Sequence, residues 1–216
     1  MIRARAVAAL IVAGLLSSCG LVTSTNRSVF VLFDASGTYA KAVPDAASSA
    51  NVMIAGLQPG DWIGVAQISS CSFSDKEIVT REEFPETPSL ADGAKRQLFQ
   101  KLKTYAVDVK STKHTDIHGA LAQAAYELNQ RPEKDRYIVI YSDMMEDLAK
   151  TCDTSKVNLD LKGIHVVASN VIKSNPADPT QYFALLKAWE KTVTDAGGTW
   201  VVAPGPTDVK RAVAPA

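Results

Sequence analysis

Asp34-Ala35-Ser36-Gly37-Thr38 places a carboxylate and two hydroxyls at alternate positions of one short segment. In a tight turn the oxygens of Asp34, Ser36 and Thr38 can converge. A set of oxygens with few carboxylates suits a hard divalent cation that keeps some of its water, Mg²⁺ before Ca²⁺. The same residue types are the commonest turn formers after a strand, so a capped turn without metal is the plain alternative. What positions them is the run Val29-Phe30-Val31-Leu32-Phe33 just ahead, short and wholly apolar. Such a run reads as a central strand of a parallel sheet, buried on both faces. Ligands of open α/β sheets bind at the carboxyl ends of the strands, which is where these oxygens emerge.

Two later segments carry related chemistry. Thr115 precedes an amphipathic stretch in which Ile117, Ala120, Leu121, Ala124 and Leu128 fall at helical spacing. The threonine is therefore expected at that helix's N-terminus, with a plain N-cap as its alternative role. Tyr137-Ile138-Val139-Ile140-Tyr141-Ser142-Asp143 is another apolar strand run ending in an aspartate. Together the three segments resemble the loops of a von Willebrand factor type A domain and its metal-ion-dependent adhesion site. The resemblance covers nearly the whole chain after the leader, and Leu57-Gln58-Pro59-Gly60-Asp61 is also typical of that family.

The resemblance implies an α/β fold: a doubly wound, Rossmann-like three-layer sandwich on a mostly parallel six-stranded sheet with one antiparallel edge strand. It implies metal ligands from three loops, namely Asp34, Ser36 and Thr38, then Thr115, then Asp143. Ser36 and Thr38 would coordinate directly, and Asp34 and Asp143 largely through water. The implied cation is Mg²⁺ or Mn²⁺, with Ca²⁺ as a further option, and it would capture an Asp or Glu side chain of a protein partner. Thr38 stands where the family has a second serine, which adds a methyl to a crowded turn. Met144 stands where Gly commonly follows the third aspartate, an uncomfortable substitution if that turn needs a positive φ.

Nearby groups offer other readings. Glu146 or Asp147 could fill the open cation position in the unbound state, against the plain reading of a solvated loop. His114 and His118 flank Thr115, but no Cys or third His stands near them in sequence, so zinc is not expected. Asp34 at a strand end also resembles the aspartyl nucleophile of haloacid dehalogenase-type phosphatases, yet Ser36 stands where their acid aspartate would be. Neither a Gly-x-Ser-x-Gly elbow nor a glycine-rich phosphate loop occurs. The sequence points to a binding module and not to an enzyme, with no small-molecule substrate. The alternatives are an envelope scaffold of the same fold with a vestigial metal site and, behind it, a metal-dependent hydrolase.

Arg3 and Arg5 precede an apolar stretch from Ala6 to Leu16, followed by Leu16-Ser17-Ser18-Cys19. The stretch is too short to span a bilayer and fits the core of a secretory signal. The residues before Cys19 resemble a bacterial lipobox, which implies cleavage after residue 18 and lipid on Cys19. An ordinary signal peptide with a coincidental cysteine, or an initiator helix of a cytosolic protein, is the alternative. Gly20 rather than Asp after Cys19 favours the outer membrane, facing the periplasm. Losing residues 1–18 removes Arg3 and Arg5 and leaves 21 basic against 23 acidic residues, so nucleic acid is not an expected partner. Cys71 and Cys152 are the even pair left in an oxidising compartment and are read as a disulfide, with two free thiols as the alternative.

Residues 19–26 form a short tether, residues 27–203 one domain, and residues 204–216 a Pro- and Ala-rich tail expected to fray. A helix from Val43 to Leu57 is stopped by Pro59-Gly60, and a second is expected near Asp92 to Tyr105. Further strands are expected at Trp62–Ile68, 77–84, 164–168 and 199–202, with a last helix starting at Pro179. Right-handed crossovers then give strand order 3-2-1-4-5-6.

Overall fold

The structure, a computed structural model of the chain, describes residues 26–37, 39–152, 154, 156–169 and 179–214. Thr38, Cys19 and the leader lie outside the described residues. The strands are β1 (Arg27–Asp34), β2 (Trp62–Ile68), β3 (Ile78–Glu83), β4 (Asp135–Tyr141), β5 (Ile164–Ser169) and β6 (Thr199–Ala203). The helices are α1 (Val43–Ile54), α2 (Pro88–Asp108), α3 (Ile117–Asn129), α4 (Pro179–Asp195) and α5 (Pro206–Ala212).

The sheet order is β3-β2-β1-β4-β5-β6, with β3 the antiparallel strand, as the alternation of elements implied. β1 is buried along its length because it lies in the middle and is covered on both faces. Its residues alternate between two cores. Val29, Val31 and Phe33 pack with α1, α2 and α5, while Phe30 and Leu32 pack with α3 and α4. This is the period-two alternation of a strand serving two layers of helices.

Register fixes where the loops open. β1 runs parallel to β2 with Asp34 opposite Ile68, and parallel to β4 with Phe33 opposite Tyr141. The three strands therefore end at one level, and the segments following them leave from one edge of the sheet. The chain turns from β1 toward β2 on one side and reaches β4 on the other, so β1 sits at the topological switch point.

Three expectations about helices needed correction. α1 ends at Ile54 rather than near Pro59, because Gly56 N–H and Leu57 N–H turn back to the carbonyls of Met53 and Ile54. α2 begins at Pro88 and ends at Asp108, longer than its apolar stripe suggested. The tail does not simply fray: α5 buries Val209 against the first core, with Val213 just beyond it. The buried Arg27 guanidinium donates to the Val213 carbonyl at 2.7 Å and pairs with Asp61 at 2.6 Å, which ties the segment after β6 to the start of β1.

Candidate functional site

Asp34, Ser36, Thr115 and Asp143 are all nearly or fully buried at the carboxyl edge of the sheet. Asp34 ends β1 and is completely buried. Its Oδ1 accepts the Ser36 N–H at 2.8 Å, the local bond of an Asx-type turn, and its Oδ2 accepts the Ser142 hydroxyl at 2.5 Å. Ser142 Oγ in turn accepts the Met144 N–H at 2.9 Å, and Asp143 Oδ1 accepts the Met145 N–H at 2.9 Å. The first and third loops are thus joined through a buried carboxylate and a hydroxyl.

The second loop is laced to both. Thr112 N–H donates to the Ala35 carbonyl at 2.7 Å, and Gly37 N–H donates to the Thr112 carbonyl at 3.1 Å. Thr115 and Asp147 exchange both backbone bonds, at 2.9 and 3.0 Å. These bonds engage only the Thr115 main chain. The structure therefore gathers Asp34, Ser36, Thr115 and Asp143 onto three interlocked loops, while Thr38 falls outside the described residues.

Burial pushes the Asp34 carboxyl above its usual pKa, the Asp143 charge adds to this, and hydrogen bonds from Ser142 and Ser36 work against it. A buried carboxylate held beside a second one, with hydroxyls around them, is a donor set that fits a hard divalent cation. Without a cation the two like charges oppose each other in a poorly solvated place.

Thr115 is not the N-cap of α3. Asp116 takes that position, fully buried, and its Oδ1 accepts the Gly119 N–H at 2.8 Å. The same carboxylate accepts the Thr154 hydroxyl at 2.6 Å and the Ser72 N–H at 2.8 Å, so it joins three loops. Gly119 is required by this close approach, because a Cβ there would run into the Asp116 carboxylate. Sequence reasoning missed Asp116, although an aspartate three residues ahead of a helical N–H is a strong capping signal. It also missed Ser142, for which a polar residue at a strand end is the only signal.

Cys71 and Cys152 form a disulfide, with Cα atoms 5.6 Å apart, that joins the segment after β2 to the segment after β4. A Cys71, Cys152 and Asp116 ligand atom lie within 4.8 Å of one another. Both sulfurs are used in the disulfide and the carboxylate already accepts three hydrogen bonds, so this cluster is a brace rather than a metal centre.

The remaining charged neighbours are engaged elsewhere. Glu146 accepts the His118 N–H at 2.8 Å at the start of α3, and burial pushes its pKa up. Asp147 pairs with His114 Nδ1 at 2.8 Å, and His118 Nε2 lies 3.1 Å from the Val157 carbonyl. Met144, where a glycine was the comfortable residue, has φ 63°. Its buried side chain joins the second core, and Trp189 Nε1 donates to its carbonyl at 2.9 Å.

The architecture is that of a doubly wound α/β domain with a polar site at its switch point. Among solved structures the chain is similar to a von Willebrand factor type A protein from Catenulispora acidiphila, with TM-score 0.52 and 12% identity over 87% of this chain and 41% of that one. It is similar to the pilus adhesin SpaC from Lactobacillus rhamnosus GG, with TM-score 0.54 and 10% identity over 87% of this chain and 29% of the adhesin. It is also similar to an aerotolerance-related membrane protein from Bacteroides fragilis, with TM-score 0.50 and 14% identity over 87% of this chain and 96% of that one. The chain thus spans less than half the length of the first two. No family model matches the sequence, and no curated protein matches it. At these identities the likeness is one of fold, and the chain has the von Willebrand factor type A fold.

Proposed function

We propose that this chain is a membrane-tethered protein-binding domain of the bacterial cell envelope that engages its partner through a divalent cation at the carboxyl edge of the sheet. The observation that carries the reading is the pairing of buried Asp34 and Asp143 with the hydroxyl-bearing Ser36 and Thr115 on three interlocked loops. Thr38 belongs to the proposed set on sequence grounds. Mg²⁺ or Mn²⁺ held there supplies an electron-poor open position for an Asp or Glu oxygen of the partner. The protein's own contribution is positional. Ser142 and the Ser36 N–H fix both oxygens of Asp34, while the Thr115–Asp147 bridge sets the height of the second loop against the third. A minor pilin and a pilus adhesin among the structural neighbours support adhesion or scaffolding as the class of role.

Anchoring is proposed through lipid on Cys19, after cleavage of residues 1–18, at the outer membrane facing the periplasm. Among the described residues no helix is long and apolar enough to cross a membrane. Cys19→Ala is expected to release the protein from the membrane fraction or block its maturation, and an unchanged mature mass and location would refute this anchor.

The binding reading is tested by capture from envelope extracts on immobilised protein. A partner retained in Mg²⁺, lost in chelator and lost with Asp34→Asn is the expected result. Retention that survives both changes would leave a scaffold with a vestigial metal site. Turnover of a hydrolysable substrate that depends on Asp34 would favour an enzyme instead.

A further inference from the structure

β6 closes the sheet order, and among the described residues β5 is its only partner strand. In a parallel pair, alternate residues of an edge strand turn their N–H and C=O groups away from the neighbour, so β6 carries a backbone row with no partner strand among the described residues. Its residues Thr199-Trp200-Val201-Val202-Ala203 include no charge and no proline. Val201 is 47% exposed and Val202 37%. They point to opposite faces, since Val201 stands beside Val167 of the first core and Val202 beside Ala168 of the second. α4 and α5 both pack against β6 but leave these two side chains partly open.

The other edge differs. β3 ends in Arg81-Glu82-Glu83, with Arg81 paired to Asp75 and Glu127, and Arg131 paired to Glu83. Charges of this kind are how a sheet edge is protected from pairing with another chain. Among the described residues, the β3 edge carries such charges and the β6 strand carries none.

We infer that β6 is a dimerisation edge, pairing antiparallel with β6 of a second copy across a two-fold axis. A two-fold interface must be self-complementary, and this strand meets that condition when the axis passes beside Val201. Val201 then faces its own copy, Trp200 faces Val202 of the second copy, and Thr199 faces Ala203. Each pair shares a face of the sheet. Aromatic and β-branched residues form favourable cross-strand pairs, and no like charges are brought together. The join lies beyond β4 and β5 from β1, so the edge that holds Asp34 and Asp143 stays open in both copies. The inference does not depend on metal binding.

The test uses the purified full chain carrying Cys19→Ser, which removes the proposed lipid and the stray thiol. Light scattering at high micromolar concentration is expected to give the mass of two chains. Val201→Lys should halve that mass, while its melting curve matches the parent's when both are measured dilute enough to be single chains. With Val201→Cys, a short bismaleimide should cross-link most chains into covalent dimers, whereas Val52→Cys, exposed on α1, should stay uncross-linked. A single-chain mass for the parent, a dimer indifferent to Val201→Lys, or equal cross-linking at both cysteines would overturn the inference.

Discussion

Asp34 is buried at the end of β1 with Asp143 near enough to raise its pKa. Burial is the larger cause, and the Ser142 and Ser36 donors offset only part of it. A raised carboxyl pKa means that the native state holds a proton at a pH where the unfolded chain has lost it. Ionised Asp34 therefore costs stability above its folded-state pKa, and the cost fades as pH falls toward the ordinary value of 3.8. In chelator, Asp34→Asn should be more stable than wild type near neutral pH, with the gap shrinking on acidification. Urea unfolding as a function of pH reads this, and a gap that widens toward acid would contradict it. Met144 has the opposite balance. Its left-handed backbone costs about 1 kcal/mol relative to Gly, but its buried side chain is worth about 2 to 5 kcal/mol. Met144→Gly should therefore destabilise by about 2 kcal/mol by the same assay, and a gain in stability would mean the packing contributes little.

At the scale of elements, the start of α3 is the joint that aligns the second loop. Asp116 caps the helix and binds the segments after β2 and β4, beside a disulfide that closes an 81-residue separation. In the chain-entropy view a loop of that length contributes about 4 to 5 kcal/mol. Asp116→Ala removes a cap and leaves buried donors unpaired, so a loss of about 3 kcal/mol in urea unfolding is expected. A loss below about 1 kcal/mol would show that water replaces the carboxylate. Helical periodicity found α3 readily, but Thr115 and Asp116 are both good capping residues, and only the backbone path decides between neighbours. The same limit applies to α5. Pro- and Ala-rich composition suggested a frayed tail, whereas Val209 and Val213 at helical spacing, after Pro206, mark a packed turn. Composition averages over the two residues that matter there.

For the whole molecule, the alternation of short apolar runs with amphipathic stretches was enough to give strand order, because each element can bury its face in only a few ways. The grouping of Asp34, Ser36, Thr115 and Asp143 as one cation site came from the resemblance to the type A family, and only their positions at strand ends and a helix start were legible in the strand and helix pattern. Ser142 and Asp116 were not, because hydrogen bonds across 38 to 108 residues depend on loop paths that no local pattern encodes. Cation binding to the native state alone must stabilise it, by about 2.7 kcal/mol when the cation stands at 100 times its dissociation constant. The most direct measurement is the melting temperature of wild type and Asp34→Asn across a titration of Mn²⁺ or Mg²⁺ from chelator upward. A rise that saturates in the wild type and is absent in Asp34→Asn is the expected result, and an unresponsive wild type or an equal rise in both proteins would contradict a cation site built on Asp34.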